Sequence, residues 1–195
     1  MAVKLPNPKY IPKPYEQMAY PGQCGQIDVK FVPAACLVGD AAGQKFYQYT
    51  FIDEYSRFHY LEAFEEHSTY SSSVFLRHVV QKFPYAIECI QTGNGSEFTN
   101  RLNCSKANRP TLFEKTLSEL GIQYKLIRPY TPRHNDKVER SHRKDNTDFY
   151  ASHKFFSFAG FSVQLAVRQR QYNCFPMRPL NWKSPKQALS HFPSL

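Results

Sequence analysis

No uninterrupted apolar run in this 195-residue chain approaches the roughly 18 to 20 residues needed to cross a bilayer, so a membrane-spanning protein is not expected. The opening Met-Ala-Val-Lys-Leu-Pro-Asn-Pro-Lys holds an early lysine but no apolar core leading to a cleavage site. A secretory signal is therefore not expected, and an intracellular location is. Cysteine is sparse. Cys24, Cys36, Cys89, Cys104 and Cys174 are odd in number, widely spaced and without a Cys-x-x-Cys pair. That pattern excludes a disulfide framework and a zinc site of the usual spacing, and leaves reduced thiols. Acid is scarce where base is not: residues 1–120 carry 12 Lys/Arg against 12 Asp/Glu, but residues 121–195 carry 13 against 4. The whole +9 excess belongs to the last third of the chain. Such a surface suits phosphate, because each neutralised phosphate releases condensed counterions. A generic solubilising surface is the other reading of charge alone.

What is present is a globular composition, 42% hydrophobic and 15% aromatic, in a length that suits one well-buried domain. Residues 1–20 are rich in Pro and Tyr, lack an apolar period and read as a linker or arm. From Gln26 to Val32 apolar and polar residues alternate, a half-buried strand with Asp28 on its polar side. Lys45 to Ile52 and Arg57 to Phe64 are strand-like, joined by Asp53-Glu54-Tyr55-Ser56, and complete an antiparallel meander. Val74, Phe75, Val79, Val80 and Phe83 recur at helical spacing up to the stop at Pro84. Ala86 to Gln91 is a short strand suited to burial beside the first. Leu112, Phe113, Leu117 and Leu120 mark a helix ended by Gly121, followed by a strand from Ile122 to Ile127. A Pro-punctuated turn precedes a long polar helix from about Asn135 to Tyr150. Helices near 158–173 and 184–191 finish the chain.

Ligand sites in α/β sheets gather at strand ends, which singles out Asp28 and the cluster Gln91-Thr92-Gly93-Asn94-Gly95-Ser96-Glu97-Phe98. Glu139 on the polar helix has Asp136, Arg140 and Arg143 close by. Acids beside arginines suit a divalent cation facing a phosphate backbone, since Mg²⁺ prefers oxygen ligands and phosphate completes its shell. Lys137, Arg140, Arg143 and Lys144 are either DNA-phosphate contacts or a solvated helix face, and adjacency to Glu139 favours contacts. Arg133 and His134 stand at the helix mouth and join the same candidate DNA-binding set. Asp53, with Ser56 and Arg57, is expected to fix the turn between strands. Trp182, Phe155, Phe156, Phe158 and Phe161 are expected to pack the last helices rather than stack bases.

Five phrases taken together resemble a known family: Gln26-Ile27-Asp28, Phe51-Ile52-Asp53-Glu54-Tyr55-Ser56-Arg57, Thr92-Gly93-Asn94-Gly95-Ser96-Glu97-Phe98, Arg128-Pro129-Tyr130-Thr131-Pro132 and His134-Asn135-Asp136-Lys137-Val138-Glu139-Arg140. They look like the integrase catalytic core (DDE-type, ribonuclease-H-like superfamily) of bacterial insertion-sequence transposases, relatives of retroviral integrases. Met177 to Pro185 resembles the segment that follows that core. The resemblance implies a ribonuclease-H-like α/β fold, with three antiparallel and then two parallel strands, flanking helices and a C-terminal helical extension. It implies an integrase core over 21–150 and the extension over 151–195. It also implies metal-dependent DNA cleavage and strand transfer with two Mg²⁺ or Mn²⁺ ions, transposon-end and target DNA as partners, a homodimer or larger multimer on DNA, and a cytoplasmic, nucleoid-associated setting. In the family two strand acids and one helical glutamate clamp the ions. By resemblance Asp28 is the first and Glu139 the third.

The second acid should stand where this sequence has Gly93, and the glycine expected before the helical glutamate is Asp136. The interval from Gly93 to Glu139 is longer than usual by about ten residues, with Leu102 to Thr111 as the insertion, and a loop of that length costs little in closure entropy. Glycine supplies no side-chain oxygen, so catalysis is expected to fall steeply. Asp136 is a candidate replacement ligand, although an acid in a first helical turn ordinarily answers the helix dipole. Glu97 gains no special weight, since the family already carries a glutamate there. The alternative function is an inactive DNA-binding or assembly module derived from a transposase.

Overall fold

The computed structural model describes residues 18–103, 105, 109–127 and 136–192. Among these the order is β1 (Gly25–Phe31), β2 (Tyr47–Asp53), β3 (His59–Phe64), α1 (Thr69–Lys82), β4 (Cys89–Thr92), α2 (Leu112–Glu119), β5 (Gln123–Leu126), α3 (Asp136–Asp145), α4 (Phe158–Cys174) and α5 (Pro185–Ser190). One sheet runs β3-β2-β1-β4-β5. β1, β2 and β3 pair antiparallel, and β4 and β5 join parallel, as the sequence predicts. Connection length sets this pattern. The link between β2 and β3 is too short for anything but an antiparallel return, whereas α1 and α2 supply the crossovers that parallel pairing needs.

Alternation along β1 divides the molecule. Ile27 and Val29 face a core built with Phe75, Leu76 and Val79 of α1 and Phe113 and Leu117 of α2. A second core holds Val32, Phe46, Leu61, Phe149, Tyr150, Phe155, Phe161 and Leu165, and fastens α4 to the meander. The free edge of β3 is closed by α4 side chains, a remedy for unpaired edge groups. Asn173 accepts from the His59 amide at 2.8 Å and donates to its carbonyl at 2.7 Å, while Gln169 accepts from the Leu61 amide at 2.6 Å.

Two expectations change. The polar helix is regular only to Asp145, and Asn146–Tyr150 continues as a wider π turn that brings Phe149 and Tyr150 into the second core. Of the late aromatics, Phe155 and Phe161 are buried and Phe158 packs beside them, but Phe156 and Trp182 are 66% and 71% exposed. Trp182 therefore does not pack the last helices. The segment before β2 includes short 3₁₀ turns at Ala34–Cys36 and Gly39–Ala41. Cys24, Cys36, Cys89 and Cys174 are free thiols, the first three buried; Cys104 lies outside the described residues. Among the described residues no helix is long and apolar enough to cross a membrane.

Candidate active site

The site starts from the polar face of β1. Gln26, Asp28 and Lys30 point toward α3, because every second strand residue shares a face. The Gln26 Oε1 accepts from the Val138 amide at 3.1 Å, Asp28 Oδ2 lies 3.5 Å from His142 Nδ1, and Lys30 Nζ donates to the His142 carbonyl at 3.2 Å. Lys30 also donates to the Asn146 side chain. Steps of two along the strand thus meet steps of four along the helix. Two strand residues rise about 6.7 Å and four helical residues about 6 Å, so the registers match. This zipper fixes α3 along β1 and brings Glu139 within electrostatic reach of Asp28.

The first turn of α3 is anchored by the same logic. Gln26 donates to Glu54 Oε1 at 3.1 Å, and the other Glu54 oxygen is paired with Lys137 in the interior. Lys137 was expected on a DNA-facing surface, but it is only 7% exposed. Burial leaves its ammonium no path to a phosphate backbone, so it is removed from that set. Asp53, on the adjoining turn, accepts from the Gly22 amide at 2.9 Å and from the Ser56 amide and hydroxyl at 2.7 and 2.6 Å. Its role is to hold that turn.

The parallel register pairs Ile27 with Thr92, so Gly93 follows at the end of β4 beside Asp28. A Cβ built at Gly93 meets nothing within 4 Å, and its backbone is not left-handed. Neither sterics nor conformation demands glycine there. Gly95 is the opposite case: a Cβ would lie 2.2 Å from Glu97 Oε1. The Glu97 carboxylate therefore folds over Gly95, and a side chain there would displace it; His67 Nε2 lies 3.2 Å from it.

Burial, and after it the charges of Glu97 and Glu139, push the Asp28 carboxyl up to about 7 against an opposing hydrogen bond from the Val29 amide. Burial likewise pushes the His142 imidazole down to about 3. At neutral pH the 3.5 Å contact between Asp28 and His142 thus joins a carboxyl to a neutral ring, not to a cation. Raised by neighbouring acids, Asp28 is a group whose ionisation an added cation favours. The oxygen donors present, Asp28 and Glu139 with Glu97 nearby, suit Mg²⁺ or Mn²⁺ in kind. They fall short in number: among the described residues no three His, Cys, Asp or Glu side chains form a ready metal group.

Asp136 does not fill the gap. Its Oδ2 lies 3.3 Å from Arg140 Nη2, and it shares with Arg140 and Lys144 a stripe of α3 that lines a cavity away from Asp28. Its partner is a guanidinium, so it is withdrawn as a metal ligand. Arg143 is exposed four residues beyond Glu139, on the same stripe. Arg133 and His134 lie outside the described residues. Among the neighbours of Asp28 are Glu97, to which the sequence gives no special weight, and His142, which sequence reasoning passes over. His142 stands four residues after Val138, which repeats the spacing of the zipper and was a signal available beforehand.

A mixed sheet with an acid on its first strand, an acid on a crossing helix and a strand-end loop between them defines the integrase-type catalytic core of the ribonuclease-H-like fold. Two models of the integrase core domain match, over residues 19–132 and 120–185. The chain belongs to the integrase core domain family. It is 28% identical over 173 residues to the putative integrase ORF3 of Spiroplasma virus SpV1-C74, covering 85% of this chain and 47% of that protein. The chain thus spans about half the length of that curated relative. Among solved structures it is similar to the simian T-cell lymphotropic virus intasome in complex with PP2A regulatory subunit B56 gamma (TM-score 0.65, 16% identity, 92% of this chain, 58% of the other). It is also similar to the catalytic core domain of BIV integrase (TM-score 0.60, 18% identity, 87% and 95%). The HTLV-2 integrase catalytic core domain in complex with magnesium gives TM-score 0.59 at 15% identity over 87% and 97%.

Proposed function

We propose that this chain is the catalytic core of a DDE-type transposase or integrase whose strand cleavage and strand transfer are strongly impaired because Gly93 stands in the seat of the second acid. The observation that carries the reading is the pairing of a crowded Asp28 with an open glycine beside it. Asp28 and Glu139 would hold one divalent ion, Mg²⁺ or Mn²⁺, completed by water and substrate phosphate. Such an ion, when bound, polarises a phosphoryl oxygen. A second ion finds no side chain at position 93, and the two-ion clamp that stabilises both attacking and leaving oxygens is lost. The chain's own residues then position DNA: Arg143 beside Glu139, Arg140 and Lys144 on the next stripe, with Arg133 and His134 kept as candidates. The ligands proposed are transposon-end and target DNA, bound by a homodimer or larger multimer. An insertion-sequence origin, with a cytoplasmic, nucleoid-associated setting, fits the sequence phrases. The same glycine favours a second reading, an inactive DNA-binding or assembly module.

Nicking of a transposon-end duplex with Mn²⁺ tests the impairment: the parent chain is expected to be near background, and vigorous turnover would contradict the proposal. Calorimetric titration with Mn²⁺ tests the seat. Gly93→Asp is expected to raise affinity by at least about tenfold, because a third carboxylate joins an oxygen-only site. An unchanged affinity in a folded variant would remove position 93 from the metal site.

A further inference from the structure

A cavity of about 420 Å³ lies between α3 and the segment after α4, within the roughly 300 to 1,000 Å³ usual for small-molecule sites. Its chemistry is lopsided. Arg57, Lys137, Arg140, Lys144 and Arg178 line it against a single carboxylate among its described lining residues, Asp136, and of these cations Lys137 is already paired with Glu54. Its apolar wall includes Phe175 and Trp182, 58% and 71% exposed. Lys144 Nζ stands 5.6 Å from the Phe175 ring centroid, so cation and aromatic face already adjoin.

Trp182 is held out by a built loop. Asn181 and Trp182 both adopt left-handed backbone, at φ 53° and 62°, a conformation that residues other than glycine rarely adopt. Hydrogen bonds knit the loop shut: the Trp182 amide donates to the Met177 carbonyl at 3.0 Å, and the Met177 amide to the Lys183 carbonyl at 3.0 Å. A large aromatic that could have been buried is instead presented to solvent on a strained, closed turn. Strain of this kind gathers at ligand clamps.

We propose that this cavity binds an unpaired nucleotide, its base stacked on Trp182 and Phe175 and its phosphate met by Arg57, Arg140 and Arg178. Bases of any sequence stack on aromatic faces, and guanidinium forks suit phosphate. The five lining cations against one carboxylate disfavour a basic partner, and the aromatic wall favours a base over an acidic side chain. The site does not rest on the carboxylates of Asp28 and Glu139, since α3 presents it on a different stripe. A free mononucleotide and an unpaired stretch of DNA carry the same chemistry.

The protein contains a single tryptophan, so tryptophan fluorescence, excited at the red edge where tyrosine does not absorb, reports on this site. Titration of the full chain with a 5′-mononucleotide and with a short single-stranded oligonucleotide is expected to quench it saturably. Quenching by the mononucleotide identifies a free-nucleotide site, and quenching by the oligonucleotide alone identifies unpaired DNA. Arg178→Gln and Phe175→Ala should each weaken the quench by about tenfold, in line with the stacking and charge lost, with the melting temperature as the check on folding. Trp182→Phe, followed by anisotropy of a labelled oligonucleotide, should retain most of the affinity that Trp182→Ala loses. No quench at millimolar nucleotide overturns the proposal. So does equal quenching by a blunt duplex, or a fluorescence change that follows protein concentration and marks a second copy as the occupant. Failure here leaves the metal titration at Gly93 untouched, and failure there leaves this quench untouched.

Discussion

Asp28 is where the competing demands of folding and chemistry are most visible. Its carboxyl ionises near 7 in the folded protein but near 3.8 when unfolded, so between these values the folded chain holds a proton that the unfolded chain has released. Stability therefore falls as pH climbs from about 3.8 to about 7, and stays at the lower level above that window. Asp28→Asn removes the ionisation. In the presence of a chelator it should raise stability at pH 8 by at least about 1 kcal/mol, or about 2–4 °C in melting temperature for a chain of this size, with little gain at pH 4. Melting curves at the two pH values check this, and equal shifts at both would remove the electrostatic explanation. Metal affinity should move the other way. A divalent ion competes with the proton on Asp28, so binding is expected to strengthen up to about pH 7 and then level off.

At the scale of elements, the end of α3 is held between β2 and α4 by buried polar groups. Asp145 accepts from Arg168 Nε at 2.9 Å and from Gln48 Nε2 at 2.9 Å, and the Tyr150 hydroxyl donates to Gln48 Oε1 at 2.6 Å. Asp145 and Arg168 are both buried, so removing one partner leaves a buried charge uncompensated. Arg168→Met should cost about 3–5 kcal/mol, whereas an apolar pair replacing both Arg168 and Asp145 should recover most of it. Urea unfolding of the single and double variants measures both; a single-variant loss below 1 kcal/mol would show that water reaches the pair. These same residues mark what the sequence could and could not disclose. The sheet was legible because alternation and turn residues report local preference: Gln26 to Val32 and the hairpin at Asp53 needed no distant partner. The proposal that Gly93 stands in an acid's seat comes only from family likeness, since a glycine carries no signal of what is absent. The burial of Lys137 was not legible, because its partner Glu54 comes from a turn far away in sequence, and an interior lysine looks like a surface one until the pairing is known. Trp182 was misjudged for a similar reason: aromatic content argues for burial on average, while two consecutive left-handed residues decided otherwise.

Across the whole molecule the charge is unevenly divided. The first 120 residues, which supply β1 to β4 of the sheet, are neutral, and the excess of +9 lies wholly in residues 121–195. Some of those cations are consumed internally: Lys137 by Glu54 and Arg168 by Asp145. Others remain exposed on two stripes of α3, Arg143 on that of Glu139 and Arg140 with Lys144 on that of the cavity. If both stripes meet phosphate, DNA affinity should fall steeply with salt, with a logarithmic slope of about 0.9 per phosphate contacted on duplex and about 0.7 on single strands. Arg143→Ala should lower the duplex slope by about one contact and weaken all duplex sequences alike. Arg178→Gln, on the cavity, should spare blunt duplex and lower the slope only for ligands with unpaired nucleotides. Binding isotherms over a range of salt separate the two surfaces. A slope that neither variant changes would place the DNA path elsewhere and make the late positive charge a matter of solubility alone.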